Sequence, residues 1–350
     1  MLLIIKKVAN KMLLKEIIVF KNGKKKPSSE GSIPIYGGNG ILGYTDQSNQ
    51  DGESLIIGRV GAYCGCVYSH YGKCWISDNA IVGKVKDGND FYYCYYLLKR
   101  LNLNSHHIGS GQPLMTQDIL NNIEINICDY EIQRKIGKIL KNIDDKIALN
   151  NEINNNLYEE TVVLYKAKFA GVEQGNKTVG EYIIPKRGKN LLTRDAIEGS
   201  IPVVAGGIEP SAYHNQFNTH FPVITISASG ANAGYTNLWS TPIWASDCSY
   251  IDDSVTKNVY FWYVALKTRQ QEIYDAQTGS AQAHIYPRHI ADMPIAKLNI
   301  DEVRNYNMLV EPLFKKIGEN KKENEQLSQL RNTLLPKLMN GEIDLDSIEI

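Results

Sequence analysis

Four side chains close together in the sequence have the chemistry to bind a metal ion. Cys64, Cys66, His70 and Cys74 offer three thiols and one imidazole within a short stretch. Structural zinc sites favour paired spacings such as C-x2-C, and the spacing here, C-x-C-x3-H-x3-C, is not one of them. The second half of the chain holds no counterpart of these ligands. We therefore expect no metal site in this chain.

A glycine motif at residues 38–43 spells G-N-G-I-L-G, which matches the dinucleotide-binding pattern G-x-G-x-x-G. In such a site a helix follows at once, and its N-terminus receives the pyrophosphate. Residues 44–52 are instead polar and rich in turn formers, and the corresponding stretch at 207–212 lacks the pattern. We interpret these glycines as tight-turn residues and expect no cofactor bound by this chain.

The sequence lacks the motifs of ATPases, base methyltransferases and nucleases. It has no Walker A motif, no N/D-P-P-Y-like stretch of a base methyltransferase and no nuclease grouping of Asp with Glu-x-Lys. Six histidines have no carboxylate or serine partner that recurs in both halves: His106, His107, His214, His220, His284 and His289. We therefore predict a non-catalytic chain with no catalytic residues.

The strongest feature of the sequence is an internal repeat of about 170 residues. Residues 33–44 contain Ile-Pro, then Gly-Gly and then Tyr, and residues 201–213 repeat this series. The apolar segments 55–57 and 223–225 are each followed by two glycines, a tryptophan and a Ser-Asp pair. The chain is therefore one structural unit written twice.

Two long stretches, residues 131–171 and 301–341, align within this repeat. Their apolar and Asn residues recur at spacings of 3 and 4, as in a helix that packs against another helix. Buried Asn side chains in such a seam cost stability but fix its register. Helices running in either direction would bring the two Asn pairs together, and two separate exposed helices are the alternative. The predicted seam consists of Ile139, Ile143, Ile147, Asn150, Asn154, Leu157, Leu164, Leu309, Leu313, Ile317, Asn320, Asn324, Leu327 and Leu334.

Each long stretch follows a segment that reads as a mixed globule of short strands and helices. Apolar, β-branched runs bounded by Gly and Asn predict strands, at 54–60 and 80–85 and again at 222–226 and 247–251. Residues 90–101 and 258–271 predict helices, and 117–127 and 288–298 predict a helical turn followed by a strand. The predicted fold class is α+β, with two similar mixed α/β domains and two long helices.

Composition fits a globular protein but does not by itself indicate a partner. The 350 residues carry no formal net charge, although residues 1–26 hold eight lysines against one glutamate. Lysines interrupt the apolar N-terminal segment, so we predict neither a signal peptide nor a membrane span. Cysteines without a secretory context are read as reduced thiols, which favours a cytoplasmic protein.

Three motifs give the chain a family resemblance: I-P-I-Y-G-G-N-G-I-L-G-Y-T-D at 33–46, G-S-G-Q-P-L-M-T-Q-D-I-L at 109–120 and L-R-N-T-L-L-P-K-L-M-N-G-E-I at 330–343. Over about residues 12–345 the chain resembles the specificity (S) subunits of type I restriction–modification systems. The resemblance implies target recognition domains at 1–130 and 172–300. It also implies that the spacer helices, at 131–171 and 301–350, form an antiparallel coiled coil with a pseudo-twofold repeat.

The resemblance further implies the partners. They are double-stranded DNA with a split target, two modification subunits that use S-adenosylmethionine, and restriction subunits that use ATP and Mg. This chain would supply recognition and scaffolding, with no cofactor of its own and no membrane. Different residues in the two globules, such as Lys73-Cys74 beside Pro242-Ile243, predict an asymmetric target. A non-DNA scaffold built on the helix pair and a remnant of a fused methyltransferase–specificity protein are the alternatives.

Residue type and loop context then suggest which side chains meet DNA. Lys and Arg bind phosphates, whereas polar loop side chains read base edges. The Lys24–Lys26 run is also explained as a solvated loop, Trp75 and Trp244 as core residues, and Asp78 and Asp247 as turn or cap residues. Predicted phosphate contacts are Lys24, Lys25, Lys26, Arg59, Lys73, Lys186, Arg187, Lys189 and Arg288. Predicted base readers are His106, His107, Ser110, Gln112, Ser227, Ser229, Asn232, Gln277, Ser280, Gln282 and His284.

Overall fold

A computed structural model describes residues 10–109, 111–279 and 283–345. Contacts between residues divide the chain into two compact units. The first unit combines the chain up to Ala148 with the segment from Glu325 onward, and the second is Leu149–Asn324. Each unit therefore contains the beginning of one long helix and the end of the other.

The first globule holds nine described strands and two short helices, followed by a long helix. The strands are β1 (Asn10–Leu13), β2 (Ile18–Asn22), β3 (Ile33–Gly37), β4 (Gly40–Thr45), β5 (Ser54–Gly58), β6 (Val67–His70), β7 (Trp75–Ile76), β8 (Ala80–Val85) and β9 (Glu124–Ile127). The helices are α1 (Phe91–Arg100), α2 (Gln117–Asn121) and the long α3 (Tyr130–Lys168).

The second globule repeats this series of elements. Its strands are β10 (Lys177–Thr178), β11 (Lys186–Arg187), β12 (Ile201–Val204), β13 (Ala212–His214), β14 (Val223–Ser227), β15 (Thr236–Trp239), β16 (Trp244–Ala245), β17 (Cys248–Ile251) and β18 (Pro294–Ile295). Its helices are α4 (Val259–Lys267), α5 (Gln270–Asp275), α6 (Pro287–Ala291) and the long α7 (Ile300–Met339).

The sheets have the same order in both units, which confirms the repeated α+β fold. A four-stranded antiparallel sheet has the order β2-β8-β5-β6 in the first unit and β11-β17-β14-β15 in the second. Three-stranded sheets β4-β3-β7 and β13-β12-β16 each contain one parallel pair. The pairs β1-β9 and β10-β18 bring the two ends of each globule together.

Strand β5 shows why an unbroken apolar run forms a central strand. All five of its residues are buried. Side chains alternate between the two faces of a strand, so Leu55 and Ile57 enter one hydrophobic cluster while Ile56 enters another. The equivalent strand β14 is also buried along its whole length.

The predicted helix at 258–271 is wrong in one respect, because it consists of two helices. Arg269 leaves the helical conformation, with φ −103° and ψ 24°. The Gln270 side chain then bonds strand β15 and the turn before it, accepting from the Thr236 N–H at 2.9 Å and donating to the Gly234 carbonyl at 2.7 Å. These tertiary hydrogen bonds interrupt a pattern that reads as one continuous helix.

The long helices pack antiparallel within each unit. In the first unit, Ile136 and Leu140 near the start of α3 share a core with Leu338 near the end of α7. In the second unit, Tyr165 near the end of α3 packs on Tyr306 near the start of α7, with ring centroids 5.9 Å apart. The predicted antiparallel helix pair is therefore confirmed.

Buried amides connect the helices in the second unit. Asn150 donates to Asn324 at 2.9 Å and to Glu323 at 2.7 Å, and Asn320 donates to Asn154 at 2.9 Å. Asn150 and Asn320 are only 1% and 2% exposed. Because a one-turn slip would leave these buried amides without partners, they fix the register of the pair.

The predicted seam requires one correction, at Leu309, whose side chain is 48% exposed. The buried stripe at the start of α7 passes through Val310 and Phe314 instead, and Val310 lies about 100° around the helix from Leu309. The buried predicted positions are Ile143, Asn150, Asn154, Ile317 and Asn320. The half-buried ones are Ile139, Ile147, Leu157, Leu164, Leu313, Asn324, Leu327 and Leu334.

Replacing Asn320 by Ala tests the buried amides. The change leaves the side-chain oxygen of Asn154 buried without its donor, so we expect the free energy of unfolding to fall by about 1–3 kcal/mol. Urea unfolding measures this loss. Asn305→Ala, at an exposed position of the same helix, serves as the control and should change the free energy by less than about 0.5 kcal/mol. Equal effects of the two changes would show that the seam amides do not stabilise the pair.

Candidate nucleic-acid interface

Several backbone segments of the first unit converge at one end of its four-stranded sheet. The Arg59 N–H donates to the Asn79 carbonyl at 2.9 Å, and the Arg59 carbonyl accepts from the Met115 N–H at 2.8 Å. The Gly61 N–H donates to the Pro113 carbonyl at 3.0 Å. We call residues 58–63, 77–79, 107–109 and 111–115 the first loop cluster.

The second unit builds the same arrangement at equivalent positions. The Ala228 carbonyl accepts from the Ile285 N–H at 2.9 Å, and the Gly230 N–H donates to the Ala283 carbonyl at 3.1 Å. Residues 227–232, 246–247, 277–279 and 283–285 form the second loop cluster. The backbone frame is therefore duplicated, whereas its side chains differ.

A glycine-rich loop lies at the centre of each cluster. Ile108 and Leu114 exchange two backbone hydrogen bonds, at 3.0 and 2.9 Å, and close the first loop. Thr278 and His284 close the second loop with the same two bonds. Gly109 and Gly279 have φ of +93° and +102°, a backbone conformation that other residues adopt only with strain. Ser110, Ser280 and Gln282 lie outside the described residues.

A basic segment lies beside each cluster, held by a tryptophan. The Trp75 indole N–H donates to the Lys24 carbonyl at 3.3 Å, and Trp244 donates to the Lys189 carbonyl at 2.8 Å. Both indoles are half-buried, so these tryptophans, which the sequence predicts as core residues, lie at the edge of the core. The indole N–H of each tryptophan needs an acceptor when it leaves water, and the backbone carbonyl of the basic segment supplies one.

A glycine lets each basic segment approach the Ser-Asp loop closely. A Cβ at Gly23 would lie 1.9 Å from the Ser77 carbonyl oxygen, and a Cβ at Gly188 would lie 2.3 Å from that of Ser246. No side chain can be accommodated at either distance. The basic segments of the two units are therefore equivalent, with Lys24 corresponding to Lys189.

Most predicted phosphate contacts are exposed, but several already bond within the protein. Arg59 is half-buried, and its guanidinium donates to the Asp78 carbonyl at 3.2 Å. Lys186 donates to the Ser254 hydroxyl at 2.7 Å, and Arg288 lies over the Tyr286 ring at 5.8 Å. The exposed predicted residues are Lys24, Lys25, Lys26, Lys73, His106, Gln112, Lys186, Arg187, Lys189 and Arg288.

Among the predicted base readers, Ser227 requires a correction. It is only 3% exposed, and its hydroxyl donates to the Gly206 carbonyl at 2.9 Å, so it cannot reach a base. Gln277 uses its amide to bond the Ala233 carbonyl at 2.8 Å. Besides Arg59, the half-buried predicted residues are His107, Ser229, Asn232, Gln277 and His284.

Two predicted cations and one predicted reader, within the described residues, make no side-chain hydrogen bond that joins two segments of a loop cluster. Lys73 lies between β6 and β7, where its carbonyl bonds the His70 ring at 3.2 Å. Lys186 bonds Ser254, and His107 bonds the Asn104 carbonyl through its ring nitrogen. His107 belongs to the first loop cluster, whereas Lys73 and Lys186 lie outside the residues that define the two clusters.

Sequence reasoning missed the role of Asp247, which it interpreted as a turn or cap residue. The Asp247 carboxylate accepts from the Ser229 hydroxyl through one oxygen and from the Arg187 guanidinium at 2.5 Å through the other. The repeated Ser-Asp pairs at 77–78 and 246–247 are the one sequence signal that draws attention to this position. The partners of Asp247 lie far away in the sequence, so no local pattern reveals them.

The cysteine-rich segment has poor chemistry for a metal ion. Cys64 and Cys74 are fully buried, and burial raises the pKa of the Cys74 thiol to about 11. Metal ligation needs thiolates, which burial disfavours. The His70 ring is also engaged, with Nδ1 3.2 Å from the Tyr36 hydroxyl.

Within the described ranges, one other group, formed by His220, Asp252 and Asp253, has a spacing that could hold a cation. Its oxygens are already occupied. Asp252 accepts from the His220 N–H at 2.9 Å and from Ser254, and Asp253 pairs with Lys257 at 2.9 Å. Hydrogen bonds to Lys257 and His220 lower the pKa of Asp253, which is typical of an ion pair.

Residues 7–159 match the family model of the type I restriction modification DNA specificity domain. Relatives extend this match over both halves. The type I restriction enzyme MjaIX specificity subunit of Methanocaldococcus jannaschii is 24% identical over 308 residues, covering 75% of this chain and 71% of that protein. The chain is therefore similar to type I specificity subunits over most of its length. The resemblance predicted from the sequence is confirmed.

A second relative and a solved structure complete the comparison. The type I restriction enzyme EcoprrI specificity subunit of Escherichia coli is 35% identical over 120 residues, covering 34% of this chain but only 29% of that subunit. The crystal structure of a type I restriction-modification system S subunit from M. genitalium has the same fold, with a TM-score of 0.65. That match covers 97% of this chain and 98% of that chain at 20% identity.

No helix within the described ranges is long and apolar enough to cross a membrane.

Replacing Gly109 by Ala tests whether the positive φ shapes the first glycine-rich loop of this protein. An added Cβ would lie 2.5 Å from the Gln112 carbonyl oxygen in a conformation that costs roughly 1–2 kcal/mol. We expect amide hydrogen exchange at Ile108 and Leu114 to accelerate about 5- to 30-fold, since their two bonds close the loop.

Gly111→Ala is the matched control, because a Cβ there meets nothing within 4 Å and no positive φ is required. Its exchange rates should match those of the unmodified chain. The same protection in both variants would mean that the loop does not depend on the conformation of Gly109.

Proposed function

We propose that this chain is the DNA-recognition subunit of a type I restriction–modification complex, and that each unit reads one half of a split, asymmetric target. The observation that carries the proposal is the duplicated loop cluster. One backbone frame presents different side chains in the two units, as two readers of different half-sites require. The chain itself carries no catalytic role in this proposal.

Phosphate contacts position each unit on the duplex. In the first unit Lys24, Lys25 and Lys26 are exposed beside the loop cluster, and Lys189 takes the equivalent position in the second. Such contacts supply affinity that does not depend on sequence and weakens with salt. The tryptophans and the close approach at Gly23 and Gly188 hold these segments next to the side chains that read bases.

Base reading falls to the exposed ends of the loop clusters. A glycine-rich loop can enter the major groove, where polar side chains distinguish all four base pairs. Gln112 is an exposed amide suited to adenine, and its loop is closed by Ile108 and Leu114. The second cluster carries Ser229 and His284 where the first carries Val60 and Leu114. The two half-sites should therefore differ in sequence.

The proposal assigns the chemistry to partner subunits. Two modification subunits would bind S-adenosylmethionine and methylate adenine, and restriction subunits would use ATP and Mg to translocate and cleave DNA. The long helices α3 and α7 would scaffold these partners. With 38 basic and 38 acidic residues, the chain has no net charge to attract DNA. Partners that close around the duplex would supply the remaining phosphate contacts.

Mapping of methylated adenines tests the proposal. The chain is co-expressed with a type I modification subunit from the same genome, in a host without its own adenine methylation. We expect methylation within one split motif that has two different halves and a fixed gap. Cells expressing the modification subunit alone are the control and should show no such motif.

Two outcomes would contradict the proposal. Methylation that is unchanged when this chain is omitted would show that it does not direct the modification subunit. Identical halves would refute the asymmetric target.

A further inference from the structure

Asp247 connects side chains from two other segments of the second unit. It lies on the loop before β17, and its carboxylate accepts from Arg187 on β11 and from Ser229 after β14. Ser229 in turn pairs with His284, which closes the glycine-rich loop. One carboxylate therefore fixes the position of a cation and a hydroxyl beside the loop that we propose to read DNA.

Arg187 remains accessible although it is held. Its side chain is 43% exposed, and that of Asp247 is 34% exposed. The ion pair uses one terminal nitrogen of the guanidinium, and an arginine fork has five N–H donors. Within the described part of the chain, no other acceptor bonds this guanidinium at hydrogen-bond distance. Two parallel donors can therefore point outward while a third is held by Asp247.

The chemistry of such a group matches guanine. An arginine fork pairs bidentately with guanine O6 and N7 in the major groove, and this is the commonest specific contact to DNA. Holding the fork in place before binding reduces the side-chain entropy lost on binding. Lysine carries the same charge but has no planar fork, so it cannot reproduce the pairing.

The first unit has no matching group of arginine, aspartate and serine at these positions. Asn22 ends strand β2 where Arg187 ends β11, since Gly23 and Gly188 follow them and make matching bonds to β8 and β17. Val60 stands in the place of Ser229. Asp78, which follows Ser77 as Asp247 follows Ser246, is exposed, and Arg59 bonds its backbone carbonyl instead of its carboxylate.

We propose that Arg187 reads a guanine in the half-site of the second unit, and that Asp247 is the positioning residue that orients it, together with Ser229. This inference rests on the proposed function. It names one base, one reader and one support, all in a single half of the target.

The test measures base preference at every position of both half-sites, by binding of the complete complex to a library of randomised duplexes. The variants are Arg187→Lys, Asp247→Asn and the control Asp78→Asn. Arg187→Lys should lower the preference for guanine at one position of one half-site by roughly 5- to 150-fold. Asp247→Asn should lower it at the same position by less, because Asn still accepts a hydrogen bond but loses its charge.

The other half-site should keep its preferences in both of these variants, and Asp78→Asn should leave that guanine position unchanged. A purely structural role of Asp247 would instead weaken binding evenly at all positions, and that result would overturn the inference. If Asp247→Asn lowers the unfolding midpoint, the inference is tested by Arg187→Lys and Arg187→Gln instead, because Arg187 is exposed. Unchanged guanine preference in both Arg187 variants would overturn it as well.

The same experiment separates this inference from the proposed function. An unmodified complex that selects no split sequence would contradict the proposed function. An unmodified complex that selects one, with variants that leave every base preference intact, would contradict only the roles of Arg187 and Asp247.

Discussion

Buried side-chain amides set the constraint on which the long helices depend. A helix stripe of purely apolar residues can slide by a turn at little cost, whereas a buried amide must find its partner. Asn150 meets Asn324, and Asn320 meets Asn154, so the middle of the seam in the second unit tolerates one register only. The pairing is reciprocal. Asn320 and Asn324 are the repeat equivalents of Asn150 and Asn154, and each Asn of one helix bonds the equivalent of its neighbouring Asn. A duplicated sequence therefore produces its own complementary helix.

Away from these amides, the two ends of the pair use different chemistry. In the first unit Asp144 accepts from the Tyr96 hydroxyl at 2.7 Å and from the Arg331 guanidinium at 2.5 Å. In the second unit Phe314 takes the repeat position of Asp144, and its ring packs on Tyr260 and Tyr263 with centroids 5.1 and 5.6 Å away. The repeat has kept its backbone and diverged in its side chains. The loop clusters follow the same rule, as the proposed reading of two different half-sites requires.

Sequence reasoning succeeded where the information is local and repeated. The long helices were predicted at 131–171 and 301–341 and extend over Tyr130–Lys168 and Ile300–Met339, because a stripe at spacings of 3 and 4 is visible in the chain itself. The seam prediction is wrong at Leu309 because equivalent positions of the two repeats are not equally buried: Ile139 is half-buried, whereas Leu309 is exposed. The neighbouring Val310 is the buried residue.

The site was less predictable, because its contacts join distant segments. Ser227 reads as a polar loop residue, but it ends a strand that is buried on both faces, and its hydroxyl bonds a backbone carbonyl. Asp247 reads as a turn residue because its partner Arg187 lies 60 positions away in the sequence. Residue type identified the basic segments correctly as exposed, but only the fold shows that Lys24 and Lys189 are equivalent.

The central claim is that equivalent loop clusters face different halves of one DNA target, and site-directed cross-linking tests it most directly. A photoreactive group is placed at Lys24 in one preparation and at Lys189 in another, and its cross-links are mapped on a duplex carrying the split target. The account predicts cross-links from Lys24 within or beside one half-site only, and from Lys189 at the other half-site only. Cross-links from both positions to the same half, or to no defined position, would contradict it.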